Sequence, residues 1–160
     1  MKRRSKPTWI VVMDSTAADF YLLRDDDGRS LAPAAERMES ELHRHASDLK
    51  SDAPGRRFPG AGATARHGME PQHDYHKLEK HAFVHAVSGF LDRAFNERKF
   101  ERLVLVAPAR SLGELRGELS AKVREAVWQE VPKDLVKLGA QDLWARLAPA
   151  LEEPAGPTGG

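Results

Sequence analysis

ERLVLVAPARSLGELR, residues 101–116, decides the fold. Leu103 to Ala107 is a continuous apolar run. Such a run suits a strand covered on both faces, as in a parallel or mixed sheet. Pro108 stops it. Ser111-Leu112-Gly113-Glu114 then has the form of a capping box, with Glu114 three residues after Ser111, and predicts a helix to about Leu119. Arg110 sits in the turn between strand and helix, and ligands of open α/β sheets gather at the carboxyl ends of strands. Arg110 together with Arg116 could present positive charge to an anion there. The plainer alternative is a loop arginine facing solvent.

Upstream, Thr8 to Asp14 reads as a strand, Ser15 to Ala17 as a turn, and Asp19 to Arg24 as a second strand. A third strand over about Leu31 to Ser40 is poor in apolar residues and is expected at an edge. Phe83, Ala86, Val87, Phe90, Leu91, Ala94 and Phe95 recur at the helical period and predict a helix from about Tyr75 to Lys99. Downstream, Ser120 reads as an N-cap opening a helix through about Val127. Trp128 to Val131 reads as a short strand or extended link before Pro132, and Gln141 to Leu147 as a last helix. No internal repeat is present. This order is α/β, a mixed β-sheet flanked by helices. It forms one domain over 8–148, between a flexible basic tail at 1–7 and a disordered tail at 149–160.

Composition narrows the function classes. Of 160 residues 41% are apolar, enough for one core, and 25 basic residues stand against 24 acidic. The near balance excludes a polycation built for duplex nucleic acid, no DNA partner is expected, and attraction for phosphate has to come from local clusters. The absence of cysteine excludes disulfides, thiolate metal sites and cysteine nucleophiles. The apolar run Trp9 to Met13 is shorter than the roughly 7–15 residues of an export signal. No stretch approaches the roughly 18 apolar residues of a membrane span. A cytoplasmic protein without a membrane anchor is the expectation.

Between residues 43 and 75 lie Gly55, Gly60, Gly62 and Gly68 together with Pro54, Pro59 and Pro71. A mobile loop is expected over about 48–74, and loops of that length are functional or disordered. Lys50, Arg56, Arg57 and Arg66 oppose Asp52 there, and glycine lets a backbone approach a phosphate while arginine forks onto it. A solvated flexible loop is the alternative reading. The Gly-Lys-Ser/Thr ending of a nucleotide-binding phosphate loop is missing. His81 and His85 are spaced i, i+4, off the apolar stripe. With His76 they are the candidates for a metal site, but the catalytic Glu of a zinc-protease helix is absent and surface histidines are the reading taken. Asp14, at the end of the first strand, is read as a turn cap rather than a nuclease carboxylate. No Gly-x-Ser-x-Gly elbow is present. No catalytic residue and no cofactor are assigned.

Three stretches carry a resemblance. They are Trp9 to Asp14, His67-Gly68-Met69-Glu70-Pro71 leading into His76-Lys77-Leu78-Glu79-Lys80, and Arg102 to Arg116 followed by Lys133-Asp134-Leu135. Together they resemble the bacterial host attachment protein family, described as proteins required for attachment to host cells. That family is similar to the middle domain of archaeal and eukaryotic class-I peptide release factors. The resemblance implies a mixed sheet with helices, of the ribonuclease H-like group. In release factors a Gly-Gly-Gln loop precedes a long helix and enters the ribosomal peptidyl-transferase centre. Gly60-Ala61-Gly62-Ala63 stands at the corresponding place here, without a Gly-Gly-Gln, and the nearest glutamine is Gln72. The expectation is a non-catalytic module binding the ribosome or structured RNA through Lys50, Arg56, Arg57, Gly60, Gly62, Arg66 and Arg110. A direct or indirect role in attachment is the alternative, and a loop- or metal-dependent hydrolase a third.

Overall fold

Strand β1 (Thr8–Met13, TWIVVM) has all six residues buried, as a strand covered on both faces of a sheet must. The computed structural model describes residues 6–25, 29–41 and 59–152, of which 59–76 and 152 are described by backbone alone. Within them β1 is followed by β2 (Ala17–Arg24), β3 (Ser30–Glu39), the long helix α1 (Pro59–Asn96), β4 (Arg102–Val106), α2 (Ala109–Glu118), α3 (Ala121–Ala126), β5 (Val127–Val131) and α4 (Ala140–Glu152). The strands form one mixed sheet in the order β3-β2-β1-β4-β5. β1 runs antiparallel to β2 and parallel to β4, with Trp9 opposite Leu103 and Val12 opposite Val106. β3 is the expected edge, and Trp128 to Val131 belong to a true strand parallel to β4.

The period of two along a strand sorts the core into two layers. Trp9, Val11 and Met13 of β1 and Leu103 and Leu105 of β4 join one cluster with Phe83, Val84, Val87, Leu91 and Ala94 of α1, Leu112 and Leu115 of α2 and Val123 of α3. Ile10, Val12, Val104 and Val106 face the other way, onto Leu135, Val136 and Leu143, Leu147 and Leu151 of α4. A fully buried aliphatic or aromatic side chain contributes roughly 1.5–3 kcal/mol. An exposed ion pair contributes about 0–1. Burial therefore decides that three helices lie on one face and one on the other.

An aromatic cluster fixes α1 on the sheet. The Trp9 ring lies 5.2 Å from Phe100 and 6.0 Å from Phe90, centroid to centroid, and Phe20 meets Phe90 edge-on at 4.9 Å. Polar bonds then set the neighbouring helices. Ser88 Oγ donates to the Glu118 carbonyl at 2.8 Å. Ser120, the expected N-cap of α3, accepts from Val123 N–H at 3.3 Å and donates to Asp92 Oδ1 at 2.8 Å. The Arg102 guanidinium lies 3.9 Å over the Trp128 ring and donates to Thr8 Oγ1 at 3.1 Å, linking β5 and β4 to β1.

Four sequence expectations are corrected. α1 begins at Pro59, not near Tyr75, so the loop expected over 48–74 is helical from 59 onward, and 48–58 lie outside the described residues. Gly60, Gly62, Gly68 and Pro71 each disfavour a helix interior. Pro59 is well placed at a first helical position, and Ala61, Ala63, Ala65, Met69 and Glu70 are strong helix formers. The capping box is not formed. Pro108 is the N-cap of α2, without a side-chain cap bond, which makes Ser111 the third helical residue, too deep to cap. On α1, Val84 is buried and Ala86 exposed, because the helix faces α2 as well as the sheet. α4 also runs further than expected, with Pro149 inside it.

α1 ends on Arg98 at φ 62°. Lys99 N–H bonds the Ala94 carbonyl and Arg98 N–H that of Phe95, each at 2.9 Å, a Schellman ending with arginine at the left-handed position. Glycine adopts that conformation without strain. Arg98→Gly should therefore raise stability by about 0.5–1 kcal/mol, read as a higher denaturant midpoint at unchanged slope.

Candidate functional site

Because β1 and β4 are parallel neighbours, their carboxyl ends open side by side at one edge of the sheet. The chain leaves β1 through Asp14 and Ser15, and leaves β4 through Pro108 into α2. Lys77, Lys80 and His81 of α1 and Asp134, in the segment after β5, complete a cleft of about 480 Å³ that Arg110, Ser111 and Glu114 also line. This is the place where ligands of open α/β sheets are held.

Several of these groups are already engaged. Asp14 Oδ1 accepts from Thr16 N–H at 2.7 Å, Thr16 Oγ1–H at 2.8 Å and Ala17 N–H at 3.0 Å. Asp14 is thus the turn cap its position suggested. Arg110, in the first turn of α2, is 88% exposed and lies 4.0 Å from Glu114 one turn on, a contact worth little in water. Among the described residues neither Lys77 nor Lys80 is held in an ion pair. Two lysines and an arginine, with His81 beside them, thus stand around the cleft and can meet an anion, with Asp14, Glu114 and Asp134 in the same lining.

Arg110 is the one expected contact residue whose side chain the structure describes, and the cleft includes it. Gly60, Gly62 and Arg66 lie on the described backbone of α1, and the Arg66 side chain falls outside the description. Lys50, Arg56 and Arg57 lie outside the described residues altogether. Arg116 does not join Arg110. Six residues on along a helix it points well away, and both its Nε and its terminal nitrogen bond Glu130 of β5, the former at 3.0 Å. Sequence reasoning missed Lys77 and Lys80 as site residues. The available signal was their spacing, since Lys77, Lys80 and His81 at i, i+3 and i+4 share one helical face.

Of the metal candidates, the side chain of His76 is outside the description. His81 and His85, exposed as expected, both turn to Glu118 at the end of α2, with His85 Nδ1 3.0 Å from Oε1 and His81 Nε2 3.9 Å from Oε2. No group of three His, Cys, Asp or Glu is arranged to hold a metal ion among the described residues. The hydrogen bond from His85 holds the Glu118 carboxyl below its ordinary value of 4.5. A carboxyl whose folded pKa is depressed stabilises the fold above its unfolded pKa and loses that contribution as pH falls through the folded one. His85→Ala should therefore move the Glu118 midpoint up toward 4.5 in a carbon-13 NMR titration of its carboxyl. The acid side of the stability profile should weaken less steeply in that variant.

Among the described residues no helix is long and apolar enough to cross a membrane. No curated protein matches the chain. The family model described as "Protein required for attachment to host cells" matches residues 9–147, from the second residue of β1 into α4. That span contains the central strands, the cleft and the helices that wall it, and the chain belongs to that family.

Proposed function

We propose that this member of the host attachment family is a non-catalytic module that binds structured RNA, with the ribosome as the leading partner, and works in the cytoplasm. The observation that carries the proposal is the grouping of Lys77, Lys80 and Arg110 around one cleft at the carboxyl ends of β1 and β4. The basic stretch holding Lys50, Arg56, Arg57 and Arg66 precedes those lysines in the chain. With a net charge of only +1, the protein can attract a polyanion only through such a concentration of charge. The strand–strand–strand–helix–strand order and the place of Gly60 and Gly62 support a kinship with the release-factor middle domain. The missing Gly-Gly-Gln supports binding without peptide release.

A role in attachment itself is the second reading, favoured by the family description. A surface-exposed protein would be reached by antibody on intact cells, whereas an RNA-binding protein would act on attachment from within.

The proposal predicts that the full chain co-sediments with ribosomes. Replacing Lys77, Lys80 and Arg110 together by Glu should abolish this at moderate salt while leaving the circular dichroism spectrum unchanged. Neutralising the three to Gln instead should lower the slope of log affinity against log salt by about one for each phosphate contact removed. Failure of the unaltered protein to co-sediment or to bind RNA would overturn the proposal.

A further inference from the structure

We infer that the first turn of α2 is a seat for a single phosphate group, formed by backbone amides, the Ser111 hydroxyl and the cations of the cleft. The first bond across the start of α2 runs from Leu112 N–H to the Pro108 carbonyl, at 2.9 Å. The amides of Ala109, Arg110 and Ser111 thus have no acceptor within the helix, and the N-cap offers no side-chain oxygen to take them. Helix starts capped by Ser, Thr, Asp or Asn fill this need internally. A proline at that place leaves the donors and the positive end of the helix dipole to an outside anion.

Ser111 is the second and independent observation. The residue is only 7% exposed, yet its hydroxyl makes no hydrogen bond among the described residues. It does not fold back onto the Ala107 carbonyl, four residues earlier, as a serine inside a helix commonly does. No buried side-chain oxygen or nitrogen is left without a partner in the described structure. The hydroxyl must therefore keep its opening toward solvent, and Ser111 lines the cleft. A nearly buried donor is held at the cleft, next to three uncapped amides.

Charge completes the seat. Lys77, Lys80 and Arg110 share the cleft, and lysine and arginine suit phosphate oxygens. Asp14, Glu114 and Asp134 line the same cleft: Glu114 lies 4.0 Å from Arg110, and Asp14 accepts through Oδ1 from the turn after β1 while keeping its charge. Neutral donors thus supply the directional contacts, and the three cations offset the three acids that would otherwise repel an anion.

The identification of the phosphate as one belonging to RNA, internal diester or 5′ terminus, rests on the function proposed above; the seat itself does not. Inorganic phosphate is therefore the first probe. Titrated into the nitrogen-15-labelled full chain, it should give saturable shifts centred on the amides of Ala109 to Leu112. Ser111→Ala, which removes one buried hydroxyl with little change in volume, should weaken binding about tenfold. Lys80→Gln, on the exposed face of α1, should weaken it without moving the shifts elsewhere. Shifts that do not saturate, that scatter over surface lysines and arginines, or that persist undiminished in Ser111→Ala overturn the seat.

Competition by one RNA oligonucleotide, with and without a 5′ phosphate, then separates the sources. Equal competition assigns the seat to an internal diester, and competition by the phosphorylated form alone assigns it to the terminus. Saturable phosphate binding with no competition by either leaves the seat standing and overturns the RNA reading. RNA binding that is indifferent to Ser111→Ala, without phosphate shifts at α2, does the reverse.

Discussion

The burial of β1 and β4 on both faces is the constraint on which the remaining structure depends. Two adjacent parallel strands with Ile10, Val11, Val12, Leu103, Val104, Leu105 and Val106 all at or near zero exposure leave no face for water. Helices have to cover both sides, and the parallel direction forces the carboxyl ends of both strands to one edge. The cleft is a by-product of that geometry. It lies where two buried strands end together, at the place where the chain must turn outward and expose backbone.

What the cleft holds follows from how α1 is tied down. The rings of Trp9, Phe20, Phe90 and Phe100 clamp its carboxyl half onto the sheet. Ser88, His85 and Asp92 bind it to the end of α2 and the start of α3. With those positions fixed, helical periodicity alone carries Lys77, Lys80 and His81 past the ends of β1 and β4. Aromatic packing at one end of the helix thereby sets the electrostatics at the other. A change in the core near Trp9 should be felt at the cleft through the pitch of α1, although none of the rings touches it.

Much of this was legible in the amino-acid sequence, for identifiable reasons. The buried strand over Leu103 to Ala107, the edge position of β3 and the N-cap at Ser120 each rest on a local rule that tertiary packing did not oppose. Asp14 as a turn cap was legible because Asp followed by Ser and Thr satisfies its own backbone. The start of α1 was not legible, since glycines and Pro71 weigh against helix in any local count while Pro59 and the alanines favour it. The role of Ser111 was misread because a capping box is a pattern of side chains, whereas Pro108 fixed the entry into the helix three residues earlier. Lys77 and Lys80 lay in a stretch quoted for its family likeness, yet their meeting with Arg110 depends on contacts between segments some thirty residues apart, which no local pattern records. The family itself was legible from three short stretches, and the match over residues 9–147 agrees with it.

The central claim is that RNA meets this protein at the carboxyl end of β1 and β4, on the face made by α1 and the first turn of α2. Ultraviolet crosslinking of the full chain to ribosomal RNA, with the attached peptides mapped by mass spectrometry, tests that claim most directly. Crosslinks concentrated on the peptides carrying Lys77 to His81 and Ala109 to Ser111 are the predicted result. Crosslinks confined to the β3 or β5 edge of the sheet, or none above a protein of similar charge, would contradict it.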